Sequence, residues 1–254
     1  MNAVITIAIN TFIETIRNKV LYNILLVAAG ALLLTMSYGD LSLFSRAQVL
    51  TDFGLATMSI TGLLLAIFIG VGLLGAELST KTVYVVVSRP VSRAGFIAGK
   101  FCGLVATLIL NFALIALVFF ISIRWLGLAV KPVILYAVLL LAVEMALIVA
   151  ASVFFSTFTS PTLAAIFTVG FYVAGHLNDM MGVGIQLTKS PVWRLLLETL
   201  NRVLPNLEYL NIRSRVVYDL PIPDLFVVQA AAYGILYTLL LLLLAMVVFS
   251  RKDL

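Results

Sequence analysis

The chain has 254 residues, 63% of them hydrophobic and 11% charged, with a net charge of +5. Soluble domains average about 45–50% apolar and about 25% charged residues, so this composition excludes an ordinary water-soluble fold. The single cysteine, Cys102, rules out an internal disulfide or a CxxC site, and the single histidine, His176, leaves the usual metal signatures short of ligands.

The N-terminal stretch reads as an interfacial helix over 1–19. At 100° per residue Ile5, Ala8, Ile9, Phe12 and Ile16 share one face, while Thr6, Asn10, Glu14 and Arg17 share the opposite one. Six apolar spans follow, at about 20–38, 53–76, 101–123, 133–157, 162–180 and 225–249. Each is long enough for a hydrocarbon core of about 30 Å. Helix is expected in each, because lipid offers an open chain no other backbone partner. The chain thus reads as an all-α polytopic membrane protein forming a single transmembrane domain over 1–254.

Between spans two and three lies "ELSTKTVYVVVSRPVSRAGFIAGK", a charged and Pro-broken segment. Its end is not a P-loop: only three residues separate Gly95 from Gly99, and Phe101 stands where a hydroxyl must hold magnesium. Pro90 suits a position near a helix start, so a short turn or helix around Ser88–Pro90 should lead into span three from about Ser92. Gly95, Gly99 and Gly103 then form a small-residue stripe for close helix packing in lipid. Arg93, Phe96, Ile97 and Lys100 occupy the other face.

Beyond it, Arg124 and Trp125 read as an interface anchor. Glu144 lies mid-way along span four, where an ionisable group costs about 2.5–3.5 kcal/mol and should face the bundle interior or water. A place on a substrate path and a role in helix packing both fit it. His176, near the end of span five, reads as an interfacial polar side chain. The long segment 181–224 contains "PVWRLLLETLNRVLP", with Trp193, Leu196, Leu197, Leu200, Val203 and Leu204 in one stripe and Arg194, Glu198 and Arg202 opposite. Such a helix would lie on the outer leaflet or cap the bundle.

Six spans put both termini on one side. Eight basic residues fall on each side of the membrane, but those of the terminal side (Arg17, Lys19, Lys81, Arg89, Arg93, Lys100, Arg251 and Lys252) crowd against span ends. That density favours cytoplasmic termini. The scatter of basic residues over these segments speaks for membrane topology rather than nucleic acid. No second histidine, G-x-S-x-G or H-E-x-x-H occurs, so no catalytic constellation can be named.

The stretch "GAELSTKTVYVVVSRPVSRAGFIAGK" resembles the hallmark of ABC-2 type transporter permeases. Glu77, Thr82, Ser88, Arg89, Pro90, Val91, Ser92, Arg93, Phe96, Gly99 and Lys100 fall in register with it. The tail "LPNLEYLNIRSRVVYD" and the ending "FSRKDL" are similar to the branch associated with multicopper-enzyme maturation. One departure is Lys81, where members usually carry Gly; if that position takes a left-handed turn, Lys costs roughly 1–2 kcal/mol there.

The resemblance implies a permease subunit in a prokaryotic cytoplasmic (inner) membrane, forming a homodimer with two separate cytoplasmic P-loop ATPase subunits. ATP and magnesium would then sit on the partner, with no cofactor on this chain and no catalysis by it. Glu77, Lys81, Thr82, Ser88–Arg93, Phe96 and Lys100 would form the coupling element, and segment 181–224 the outer insertion. A non-transporting membrane scaffold and an ion-coupled secondary transporter working through Glu144 are the alternatives. The residues name no substrate.

Overall fold

The computed structural model describes residues 3–41, 46–79, 92–127 and 130–251, and these form helices joined by turns, with no strand among them. Helix α1 (Ala3–Ile16) meets α2 (Lys19–Leu41) at a 60° bend. Asn18 makes that corner: its side-chain oxygen accepts the Val20 N–H at 3.1 Å, giving α2 a new start. Helices α3 (Arg46–Ser79) and α4 (Arg93–Trp125) follow, then α5 (Pro132–Ser156) and α6 (Pro161–His176), each of the last two opened by proline at its first turn. The chain continues through α7 (Asn178–Leu187), α8 (Pro191–Val203), a 3-10 turn (Leu207–Leu210) and α9 (Arg213–Val217) to α10 (Phe226–Ser250).

Helix α5 is the centre. It packs on α3, α4, α6 and α10, and Leu147 through Ala151 are completely buried. A helix apolar on every side is what such a position requires. Four helices (α3, α4, α5 and α10) are long and apolar enough to cross a membrane, and the bent α1–α2 pair would make a fifth. Helix α6 is apolar but has only 16 residues, about 24 Å at 1.5 Å per residue, and ends at His176 rather than continuing to 180. The backbone breaks at Leu177 and resumes as α7, so the fifth apolar stretch is two pieces.

Helix α1 turns threonines toward the bundle. Its buried residues are Thr11 and Thr15, while Ile5, Ile9 and Ile13 are 42–49% exposed. The reason is α4: ideal Cβ atoms at Gly99 and Gly103 would lie 2.9 Å from Val4 O and 2.5 Å from Ala8 O. Backbone approaches backbone there, which only glycine permits; Ile7 packs on Gly99, and Ile5, Ile9 and Ile13 face away from the bundle.

The segment after α6 folds back on the bundle. Leu207 and Leu210 are fully buried, Leu207 against Gly175, where a Cβ would come within 2.6 Å of its side chain. Tyr233 accepts the Asn206 N–H at 2.8 Å, and the Tyr237 hydroxyl donates to the Val203 carbonyl. Helix α8 buries no residue; Val192, Trp193, Leu195 and Val203 are exposed by more than 60%.

Candidate functional site

Two clusters of polar groups stand at different ends of the bundle. The first is the start of α4. Ser92 is its N-cap, in extended conformation, and its hydroxyl oxygen accepts the Gly95 N–H at 3.1 Å. From this cap the helix drives three of the sequence-selected side chains into its own neighbours. Arg93 Nη1 donates to the Ser250 carbonyl at 3.2 Å, and buried Phe96 stacks on buried Phe249 with centroids 6.0 Å apart. Lys100 is buried too, with Nζ 3.8 Å from Glu14 Oε2 and 5.9 Å from the Phe96 ring centroid. Gly95 is half-buried, and Gly99 and Gly103 lie under α1.

The first turn of α4 is therefore keyed to α1 on one side and to the end of α10 on the other. Glu77 lies in the last turn of α3, its side chain outside the described part. Lys81, Thr82, Ser88, Arg89, Pro90 and Val91 lie outside the described residues, as does the coupling turn expected around Ser88–Pro90.

The second cluster lies at the far end of α6, where the sequence indicated only a lone histidine and a buried glutamate. Glu144 is completely buried on α5, and its Oε1 is 3.0 Å from His176 Nε2. The opposite ring nitrogen, Nδ1, is 3.2 Å from Glu208 Oε2 on the 3-10 turn. The Tyr172 ring meets the imidazole edge-on at 4.5 Å, and its hydroxyl is 3.2 Å from Ser59 Oγ on α3. Asn211 Nδ2 donates to both oxygens of Glu208, and Arg213 Nε donates to Asp52 Oδ1 at 2.7 Å.

Glu208 is outside the spans, and its carboxyl is held below the usual value of 4.5, chiefly by the His176 hydrogen bond, with Asn211 adding to it against partial burial. A cavity of about 320 Å³ opens beside these groups, walled by Leu55, Leu141 and Val173. The two carboxylates address opposite edges of one ring, which makes a hydrogen-bonded chain rather than a converging ligand set. Among the described residues no group of three His, Cys, Asp or Glu side chains could hold a metal ion.

Glu208, Tyr172, Asn211 and Arg213 escaped the sequence reading. The usable signal was a lone histidine beside a span that faces a second span carrying a glutamate; nothing in residue spacing ties either to Glu208.

A comparison with curated proteins gives no match. A family model described as ABC-2 family transporter protein matches residues 5–254. An all-helical bundle with several membrane-crossing helices, covered almost end to end by that match, leaves one conclusion: the chain belongs to the ABC-2 family of transporter proteins.

Proposed function

We propose that this ABC-2 permease is the transmembrane subunit of an ATP-binding cassette transporter, and that it couples ATP hydrolysis on a separate cytoplasmic subunit to export or to conformational work. The observation that carries this reading is the keyed start of α4. Ser92 caps the helix, Arg93 and Phe96 grip the end of α10, and Lys100 with the glycine stripe grips α1. A push on Ser88–Arg93 by an ATPase closing around ATP would reach α1, α4 and α10 together, rather than being absorbed by a loose loop. The proposed coupling element comprises Glu77, Lys81, Thr82, Ser88–Arg93, Phe96 and Lys100. The nucleotide and magnesium belong to the partner, and a second permease copy completes the pathway.

The test separates docking from folding. Arg93 supports the fold through Ser250, so its reversal would disturb both. Arg89→Glu alone should abolish co-purification with the ATPase subunit while leaving the permease as well folded as the wild type. Wild-type recovery of the complex, with ATPase activity still stimulated by the permease, would overturn the assignment.

A further inference from the structure

The cluster at the end of α6 is not needed for the coupling reading and stands independently of it. Its geometry fixes a proton count. Ionised carboxylates only accept hydrogen bonds, and a neutral imidazole has one N–H and one lone pair. His176 has a carboxylate oxygen at hydrogen-bonding distance from each ring nitrogen, 3.0 Å on Glu144 and 3.2 Å on Glu208. A neutral ring between two ionised carboxylates would aim its lone pair at one of them, turning that contact repulsive. Both contacts are attractive together when one extra proton is held there, on the ring or on Glu144 as a carboxylic acid donating to Nε2.

The surroundings agree with a cation at this position. Glu144 is completely buried, and its second oxygen, Oε2, has no hydrogen-bond partner among the described residues. A buried carboxyl of that kind needs a positive neighbour or a proton of its own. The charged and titratable groups facing the ring, among the described residues, are Glu144 from α5, Tyr172 from α6, Glu208 from the 3-10 turn, and Arg213 from α9 beside Asp52 from α3. Arg213 is taken by Asp52 at 2.7 Å, which leaves the imidazolium to answer both carboxylates. The adjoining cavity, about 320 Å³ with Ser59, Tyr172 and Asn211 on its wall, is polar and roomy enough for water to bring and remove protons.

We infer that Glu144, His176 and Glu208 form a proton-binding site, and that the proton held there latches the Leu207–Val217 segment onto α5 and α6. Loss of one ring proton leaves a lone pair facing one carboxylate. Glu144 sits on the fully packed α5 and has nowhere to go. Glu208 is 41% exposed on a short turn, with Asn211 and water as alternative partners, so it is the group that leaves. The segment would then lose its tie to His176 and keep its buried leucines, Leu207 and Leu210, with the partly exposed pairs Arg213–Asp52 and Lys131–Asp219.

Because His176 is the one histidine of the chain, histidine labelled with ¹⁵N in the full protein in lipid nanodiscs gives a single imidazole signal pair. The expected result at pH 7 is a ring protonated on both nitrogens. On raising the pH, amide protection of 207–217, corrected for intrinsic exchange, should fall in the same interval in which the ring loses its proton. In Glu208→Gln, a half-exposed and near-isosteric change, protection should no longer follow the ring. Glu144→Gln should leave the ring neutral at pH 7. A wild-type ring neutral at pH 7 with Glu144 ionised, read from its carboxyl ¹³C shift, would overturn the site, and protection that ignores the shared proton would overturn the latch. Should Glu144→Gln fail to fold, the wild-type and Glu208→Gln series decide alone.

Discussion

Replacing Gly103 with alanine would place a methyl group where α1 already is. The new carbon would lie 2.5 Å from the Ala8 carbonyl oxygen and 2.7 Å from Thr11 Cβ. The oxygen belongs to the helix backbone and cannot rotate away, so α1 itself must withdraw by roughly 0.9 Å to reach the 3.4 Å of ordinary contact. Overpacking of this kind costs about 1–3 kcal/mol. Alanine returns about 0.8–1 kcal/mol of helix propensity, leaving a net loss of up to about 2 kcal/mol.

Gly72 is the internal control: it is also helical, nothing lies within 4 Å of its added Cβ, and alanine there brings only the propensity gain. With about 2–4 °C per kcal/mol in a chain of this size, and the propensity gain common to both, Tm of Gly103→Ala should fall roughly 2–12 °C below that of Gly72→Ala in the same detergent. Equal Tm values, or a higher one for Gly103→Ala, would refute close backbone seating of α1 on α4.

Three further outcomes are expected. Phe249 is completely buried against Phe96, so Phe249→Ala should lose about 3–5 kcal/mol in unfolding experiments and weaken permease-stimulated ATPase activity together. Asp219 adopts a left-handed backbone (φ 52°) while pairing with Lys131 at 2.6 Å, so Asp219→Gly should be about 1–2 kcal/mol more stable than Asp219→Ala by thermal unfolding. The Glu208 carboxyl is held below its usual range, so the stability it brings is complete above pH 4.5 and is lost as pH falls through its lower folded value. Acid unfolding of the 207–217 segment should therefore start at a higher pH in Glu208→Ala, as read by amide exchange.

The architecture was legible where composition alone decides. Runs of apolar residues of spanning length mark α3, α4, α5 and α10, and the Pro90–Ser92 punctuation marks the start of α4 at Arg93. Faces were harder. Hydropathy assigns the apolar side of α1 to whatever it packs on, but in lipid both protein and solvent are apolar. Packing there follows the close approach to the glycines, so Thr11 and Thr15 go inward with Ile7, and Ile5, Ile9 and Ile13 outward.

The break at Leu177 is marked only by the polar Asn178 and Asp179, which also suit the end of a single span, and α7 then continues with methionines and valine. The His176 cluster was invisible for another reason. Its members are 32 residues apart on either side, brought together only when the 3-10 turn plugs Leu207 against Gly175.

The brevity of α6 has a mechanical consequence for the bilayer. A helix of about 24 Å cannot match a hydrocarbon core of about 30 Å, so lipid beside it must thin or the headgroups must dip toward its end. The amphipathic α8, with its apolar residues uncovered, follows α7 beyond that end, where such a dimple would bring the interface toward it. Membrane thickness then becomes a variable to which this end of the protein responds: longer acyl chains raise the cost of exposing the short helix to lipid, and thinner ones relieve it.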